Sequence, residues 1–166
     1  MVSYEYPWQT LLSAFKYRQA LAFAPLMAHM AGQRAAVVDL IATADIVIGM
    51  PLTEQRIGQR GFNQAHEWAK RLSAEKTRAN VLLRLGHLSA QAGLGRSARQ
   101  QQGAALMGSF QVDPHQQQWV KRRKVLLVDD VYTTGTTLHA AAAALCRAGA
   151  DEVKGLVFAR TERTDA

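Results

Sequence analysis

Val125-Leu-Leu-Val128-Asp129-Asp130-Val-Tyr-Thr133-Thr-Gly135-Thr-Thr137 is the stretch on which the reading of this chain turns. Val125 to Val128 are four consecutive apolar residues, too few for a helix core and suited to a strand buried on both faces of a parallel sheet. Asp129 and Asp130 follow where that strand is expected to end, at the carboxyl edge where open α/β sheets bind ligands. Thr133, Thr134, Gly135, Thr136 and Thr137 then bring hydroxyls, a glycine and free backbone N–H groups to the start of a helix, a combination that attracts phosphate. A sugar phosphate suits both halves, with its phosphate in the loop and its hydroxyls on the carboxylates. Either half alone reads as a strand-to-turn transition with threonines capping the next helix. Their contiguity, with no spare residue between them, favours a ligand. No Gly-Lys-Ser/Thr follows, so this is not a Walker loop, and the chain holds no G-x-G-x-x-G fingerprint.

Downstream, an alanine-rich helix is predicted from Thr136 to Ala148, with Gly149 as its stop. The run Ala140 to Ala144 gives that helix a smooth face able to approach a sheet closely, and Val153 to Ala159 reads as a last strand. Upstream, the basic run Lys121-Arg-Arg-Lys124 reads as a solvated strand flank or, less favourably, a nucleic-acid patch. Strands are also predicted at Asp45–Met50, closed by Pro51, at Val81–Leu85 and at Leu106–Val112. A helix over 63–76 has Asn63 as its N-cap, and helical spacing from Trp8 to about Leu40 is broken at Pro25. Strands alternating with helices make an α/β protein with a mostly parallel sheet.

The 166 residues suffice for one domain, and 48% hydrophobic with 20% charged residues is a globular composition. A formal charge of +7 suits an anionic partner, either a polyphosphate or a nucleic acid. The single cysteine, Cys146, excludes a disulfide framework and reads as a small buried helix residue. The five histidines lack metal-ligand spacing. No membrane span or signal peptide is evident, which makes the cytoplasm the expected compartment.

A second candidate segment, Pro51-Leu52-Thr53-Glu-Gln-Arg56-Ile-Gly-Gln-Arg60-Gly61, follows a strand and shares a sheet edge with the acid pair. Arg56 and Arg60 can clamp diphosphate oxygens by charge-assisted hydrogen bonds. On spacing alone, a solvated loop ahead of a capped helix is as good an account.

The 125–137 stretch resembles the phosphoribosyl-pyrophosphate (PRPP) signature of type I phosphoribosyltransferases, departing slightly at the variable loop positions Tyr132 and Thr133. Arg60-Gly-Phe-Asn-Gln-Ala65 resembles a block of the ComF family. So do Tyr4-Glu-Tyr-Pro7, Phe15-Lys-Tyr17, Gln91 to Arg99, Gly108-Ser-Phe110 and Ala159-Arg-Thr161, so the likeness covers nearly the whole chain. It implies a type I phosphoribosyltransferase-like fold with a small hood: residues 1–44 helical hood, 45–160 core and 161–166 tail. It implies that Asp129 and Asp130 hold the ribose hydroxyls and that Thr133 through Thr137 cradle the 5-phosphate. The 51–61 loop would face pyrophosphate, and a flexible loop over 88–103 would bring Arg96 and Arg99 to the leaving group. Mg²⁺ would be carried mainly by substrate and water. The four-cysteine zinc module common in the family is missing, and the family's R-x-x-N reads Arg99-Gln-Gln-Gln102. Two functions stay open. One is transfer of the phosphoribosyl group to an unidentified acceptor such as a nucleobase. The other is a non-catalytic PRPP-binding regulator or competence adaptor touching DNA-uptake machinery or single-stranded DNA. Homodimerisation is open, and no membrane partner is expected.

Overall fold

A computed structural model describes residues 2–17, 22–86 and 108–161. Four parallel strands form the central sheet in the order β1-β6-β5-β2: β1 is Val2–Ser3, β2 Ile46–Gly49, β5 Lys124–Tyr132 and β6 Glu152–Arg160. A second sheet pairs β3 (Leu82–Arg84) with β4 (Phe110–Val112) antiparallel. The helices are α1 (Trp8–Tyr17), α2 (Phe23–Gly32), α3 (Ala35–Thr43), α4 (Glu54–Arg60), α5 (Gln64–Leu72) and α6 (Thr136–Arg147). A 3-10 segment covers Pro114–Trp119. The predicted α/β class with a parallel sheet is what the chain adopts.

The strand pattern explains the layering. All four residues of β2 are buried, as are Val125 to Val128 of β5, as expected of strands covered on both faces. Alternation sends Val47, Leu126, Val128 and Phe158 to one side, against Leu12 and Phe15 of α1, Met27 of α2, Val37 of α3 and Trp68 of α5. Ile46, Ile48, Val125 and Leu127 go to the other, against Ala140, Ala141, Ala144 and Leu145 of α6 and the β3–β4 pair. Each fully buried Leu or Phe contributes about 1.5–3 kcal/mol. The alanine face of α6 lies close on the sheet, and Gly149 adopts φ 98 just past its end.

Several boundaries differ from expectation. Pro25 sits in the first turn of α2, where its missing N–H is harmless, so the break in helical spacing precedes it. The edge strand β1 was not predicted; two residues carry too little pattern, and pairing with Ala159 and Arg160 makes it a strand. Residues 54–60, expected as a loop, are helical, because Thr53 caps their start and Gly61, at φ 76, caps their end. Cys146, expected to be buried, is exposed on the outer face of α6. The polar stretch from His87 to Gln102 lies outside the described residues. No described helix is long and apolar enough to cross a membrane.

Candidate functional site

The site arises from unequal strand lengths. β2 stops at Gly49, opposite Val128, and the last bond across the pair is Met50 N–H to the Val128 carbonyl at 2.7 Å. β5 does not end at the acids as predicted; paired to β6 alone, it continues through Asp129 and Asp130 to Tyr132. The acid pair therefore stands just beyond the end of β2, on a strand held from one side only. There the chain turns away from β2 through Met50 and Pro51, leaving a cleft.

Adjacent strand residues face opposite ways. Asp130 follows Val128 toward the α1 side, where Lys16 Nζ meets its Oδ2 at 2.8 Å. The Asp129 charge acts on Arg84, raising that guanidinium's pKa against the larger lowering by burial and Arg56. The Asp129 Oδ1 accepts the Asp130 N–H at 2.9 Å, so the two carboxylates stay close. Burial, then the neighbouring Asp130 charge, push the Asp129 carboxyl up to about 7, against a smaller opposing effect of Lys16.

The loop after β5 is shaped by Tyr132 and Gly135. Gly135 holds φ 78 at the start of α6, and a Cβ there would collide with the Tyr132 ring and hydroxyl. The Tyr132 ring lies under the Arg160 guanidinium at 5.3 Å. The His139 backbone N–H donates to the Gly135 carbonyl, and the His139 ring is also bonded to it through Nδ1, each at 2.9 Å. Thr134 and Thr136 hydroxyls bond each other at 2.7 Å and, with Thr133, are exposed. Thr137 is half-buried. The threonines thus present hydroxyls to solvent at the N-terminus of a twelve-residue helix, where the dipole favours an anion.

On the other flank, a cleft of about 900 Å³ is lined by Pro51, Leu52, Thr53, Arg56, Arg78 and Arg84 among others. Arg56 and Arg84 face it together, and burial with the Arg56 charge lowers the Arg84 pKa. The Arg84 guanidinium also lies 5.3 Å from the Phe110 ring centroid. Two like charges held close in a cleft favour an anion between them. Arg60 is arranged differently: its Nη1 donates to Gln64 Oε1 at 3.1 Å, and it does not line the cleft. Arg96 and Arg99 lie outside the described residues.

The 60–65 block is largely architectural. Gly61 ends α4 in the left-handed region, and Phe62 packs on Phe15, with ring centroids 5.9 Å apart. Asn63 Oδ1 accepts from His66 N–H (3.1 Å) while its Nδ2 donates to the Met50 carbonyl (3.0 Å). The start of α5 is thereby fastened to the end of β2. That contact requires Gly49, because a Cβ there would sit 2.5–2.7 Å from the backbone of Ala65 and His66. Two cations, Lys16 at the acid pair and Arg84 in the cleft, were not singled out as site residues from the sequence. Neither lies in a local phosphate motif, and only folding delivers them.

The phosphoribosyl transferase domain model matches residues 58–165. Over 160 residues the chain is 29% identical to Competence protein F of Haemophilus influenzae, covering 93% of this chain and 68% of that relative. Over 104 residues it is 30% identical to Competence protein ComFC of Bacillus subtilis, covering 63% of this chain and 39% of that relative. A solved structure of glutamine PRPP amidotransferase from B. subtilis, complexed with ADP and GMP, is similar at 19% identity and a TM-score of 0.49. The alignment covers 81% of this chain and 26% of that one. The chain thus spans about two thirds of one competence relative, well under half of the other and about a quarter of the solved structure.

Proposed function

The chain belongs to the phosphoribosyl transferase domain family, and from that premise we propose that it binds PRPP with Mg²⁺ and transfers the phosphoribosyl group to an acceptor yet to be identified. One observation carries the reading: the acid pair and the threonine loop are contiguous beyond the end of β2, and the Asp129 charge acts on Arg84, which with Arg56 lines a neighbouring cleft that the acids and threonines do not themselves line. Thr133 through Thr137 take the 5-phosphate. Asp129 and Asp130 take the ribose hydroxyls. Pro51, Leu52 and Thr53 with Arg56 and Arg84 face pyrophosphate; Arg96 and Arg99, expected to join them, lie outside the described residues. Arg60, first expected there too, braces the start of α5 through Gln64.

The residues present fit a magnesium ion brought in with its ligand. No third His, Cys, Asp or Glu joins the acid pair among the described residues, so the chain offers two carboxylates rather than a cage. Mg²⁺ keeps several waters and is commonly held by one or two carboxylates and phosphate oxygens. The raised pKa of Asp129, due first to burial and then to the Asp130 charge, marks a carboxylate that added positive charge would stabilise. When bound, the ion supplies that charge and neutralises part of the pyrophosphate.

Transfer breaks the bond from ribose C1 to the pyrophosphate oxygen, which keeps the electron pair, and forms a bond from C1 to the acceptor nucleophile. The chain's part is to hold both partners in line and to offset charge as it develops on the leaving group, the task suited to Arg56 and Arg84.

The names of two relatives favour a second reading, a PRPP-binding competence adaptor that does not turn over. Titration calorimetry with Mg²⁺ and PRPP tests what the readings share: wild type binds, and the double variant Asp129→Ala/Asp130→Ala does not. Absence of heat in wild type sinks both. Pyrophosphate release with a panel of nucleobases then separates transferase from adaptor.

A further inference from the structure

Among the described residues Lys16 is the cation that reaches the acid pair by ion pairing, and it arrives from the N-terminal helix rather than from the phosphoribosyl motif. Its Nζ lies 2.8 Å from Asp130 Oδ2, with side chains only 22% and 12% exposed. α1 is fixed behind it by the fully buried Leu12 and Phe15. The Lys16 carbonyl accepts from Gln64 Nε2 at 3.4 Å, and Gln64, 2% exposed, accepts in turn from Arg60 at 3.1 Å. A continuous set of polar contacts therefore runs from the end of α4 through the start of α5 and the end of α1 to Asp130.

Resting on the PRPP reading above, we propose that Lys16 is a positioning residue of the donor site, fixing Asp130 for the ribose hydroxyls and making ribose recognition depend on the docking of α1. An Asp side chain at the end of a one-sided strand has two free torsions. The ion pair ties down Oδ2 and leaves Oδ1 in a defined direction. Without Lys16, Asp130 faces Asp129 with no ion-paired cation among the described residues, and the two carboxylates repel each other into other rotamers. The alternative is that Lys16 merely anchors α1, in which case ligands of every kind suffer alike.

Three probes separate these cases in titrations with Mg²⁺: ribose 5-phosphate, PRPP and pyrophosphate alone. Lys16→Met is expected to weaken ribose 5-phosphate and PRPP about tenfold, the scale on which losing a group that orients a ligating carboxylate weakens a site, while pyrophosphate affinity stays as in wild type. Lys16→Arg, which keeps the charge, restores most of the ribose 5-phosphate affinity. In an Asp130→Asn background, Lys16→Met has no further effect. The proposal is overturned if Lys16→Met binds ribose 5-phosphate as wild type does, if pyrophosphate binding falls equally, or if the loss persists in full on Asp130→Asn. Failure of wild type to bind PRPP overturns the donor reading together with this one; an unaltered Lys16→Met overturns this one alone.

Discussion

Asp129→Asn is expected to stabilise the protein while removing its ligand affinity. The Asp129 carboxyl is raised from its ordinary 3.8 to about 7, chiefly by burial and then by the Asp130 charge. In the unfolded chain that proton leaves near 3.8; in the native state it stays until about 7. Between these values the native protein binds more protons than the unfolded one, so stability falls as pH rises through the window and levels off above it. The shift corresponds to roughly 4 kcal/mol lost by pH 8. Asparagine carries no charge to desolvate, its Oδ1 can keep the bond from Asp130 N–H, and its Nδ2 can donate to the Asp130 carboxylate. The variant should therefore gain about 2–4 kcal/mol at pH 8, or about 5–15 °C in Tm for a domain of this size. Near pH 4.5 the gap should almost close. Thermal unfolding of both proteins across this pH range measures it. A variant less stable than wild type at pH 8, or a gap that does not change with pH, refutes the reasoning.

Gly135→Ala forces a side chain into the left-handed region and against Tyr132, so Tm should fall by about 5 °C and phosphate affinity should drop with it; a scan plus a titration with inorganic phosphate checks both. Arg84→Ala should weaken Mg²⁺-pyrophosphate binding about tenfold, with the effect shrinking as salt screens the cleft, whereas Arg60→Ala should lower Tm and leave that affinity nearly intact.

What was legible in the sequence was local. Val125 to Val128 declare a buried strand by composition, and the acids and threonines follow without interruption, so the strand, its acid pair and the helix start after the threonines needed no tertiary knowledge. Asn63 was readable as a cap for the same reason, since its partner is three residues away. The length of β5 was not readable. Acids and a tyrosine look like the end of a strand, and only pairing with β6 carries the ladder to Tyr132. Cys146 misled because an alanine-rich helix shows little contrast between its faces, so a thiol among alanines does not reveal which way it points. Arg84 and Lys16 were out of reach because their meaning comes from what folding sets opposite them.

That distinction bears on why the acid pair is split. Two carboxylates side by side on a strand repel, and a site built only for stability would neutralise both. Here Lys16 pairs with Asp130, while Asp129 keeps a raised pKa and its charge acts on Arg84. On the function proposed above, a polyphosphate sugar arriving with a divalent cation would bring positive charge to the carboxylates and negative charge to Arg56 and Arg84, relieving repulsion within each group. The ligand's own charge distribution would then complete the site. Titrating PRPP without a divalent cation should consequently show affinity no better than that of Asp129→Ala with Mg²⁺, and equal affinity with and without the cation would break this account.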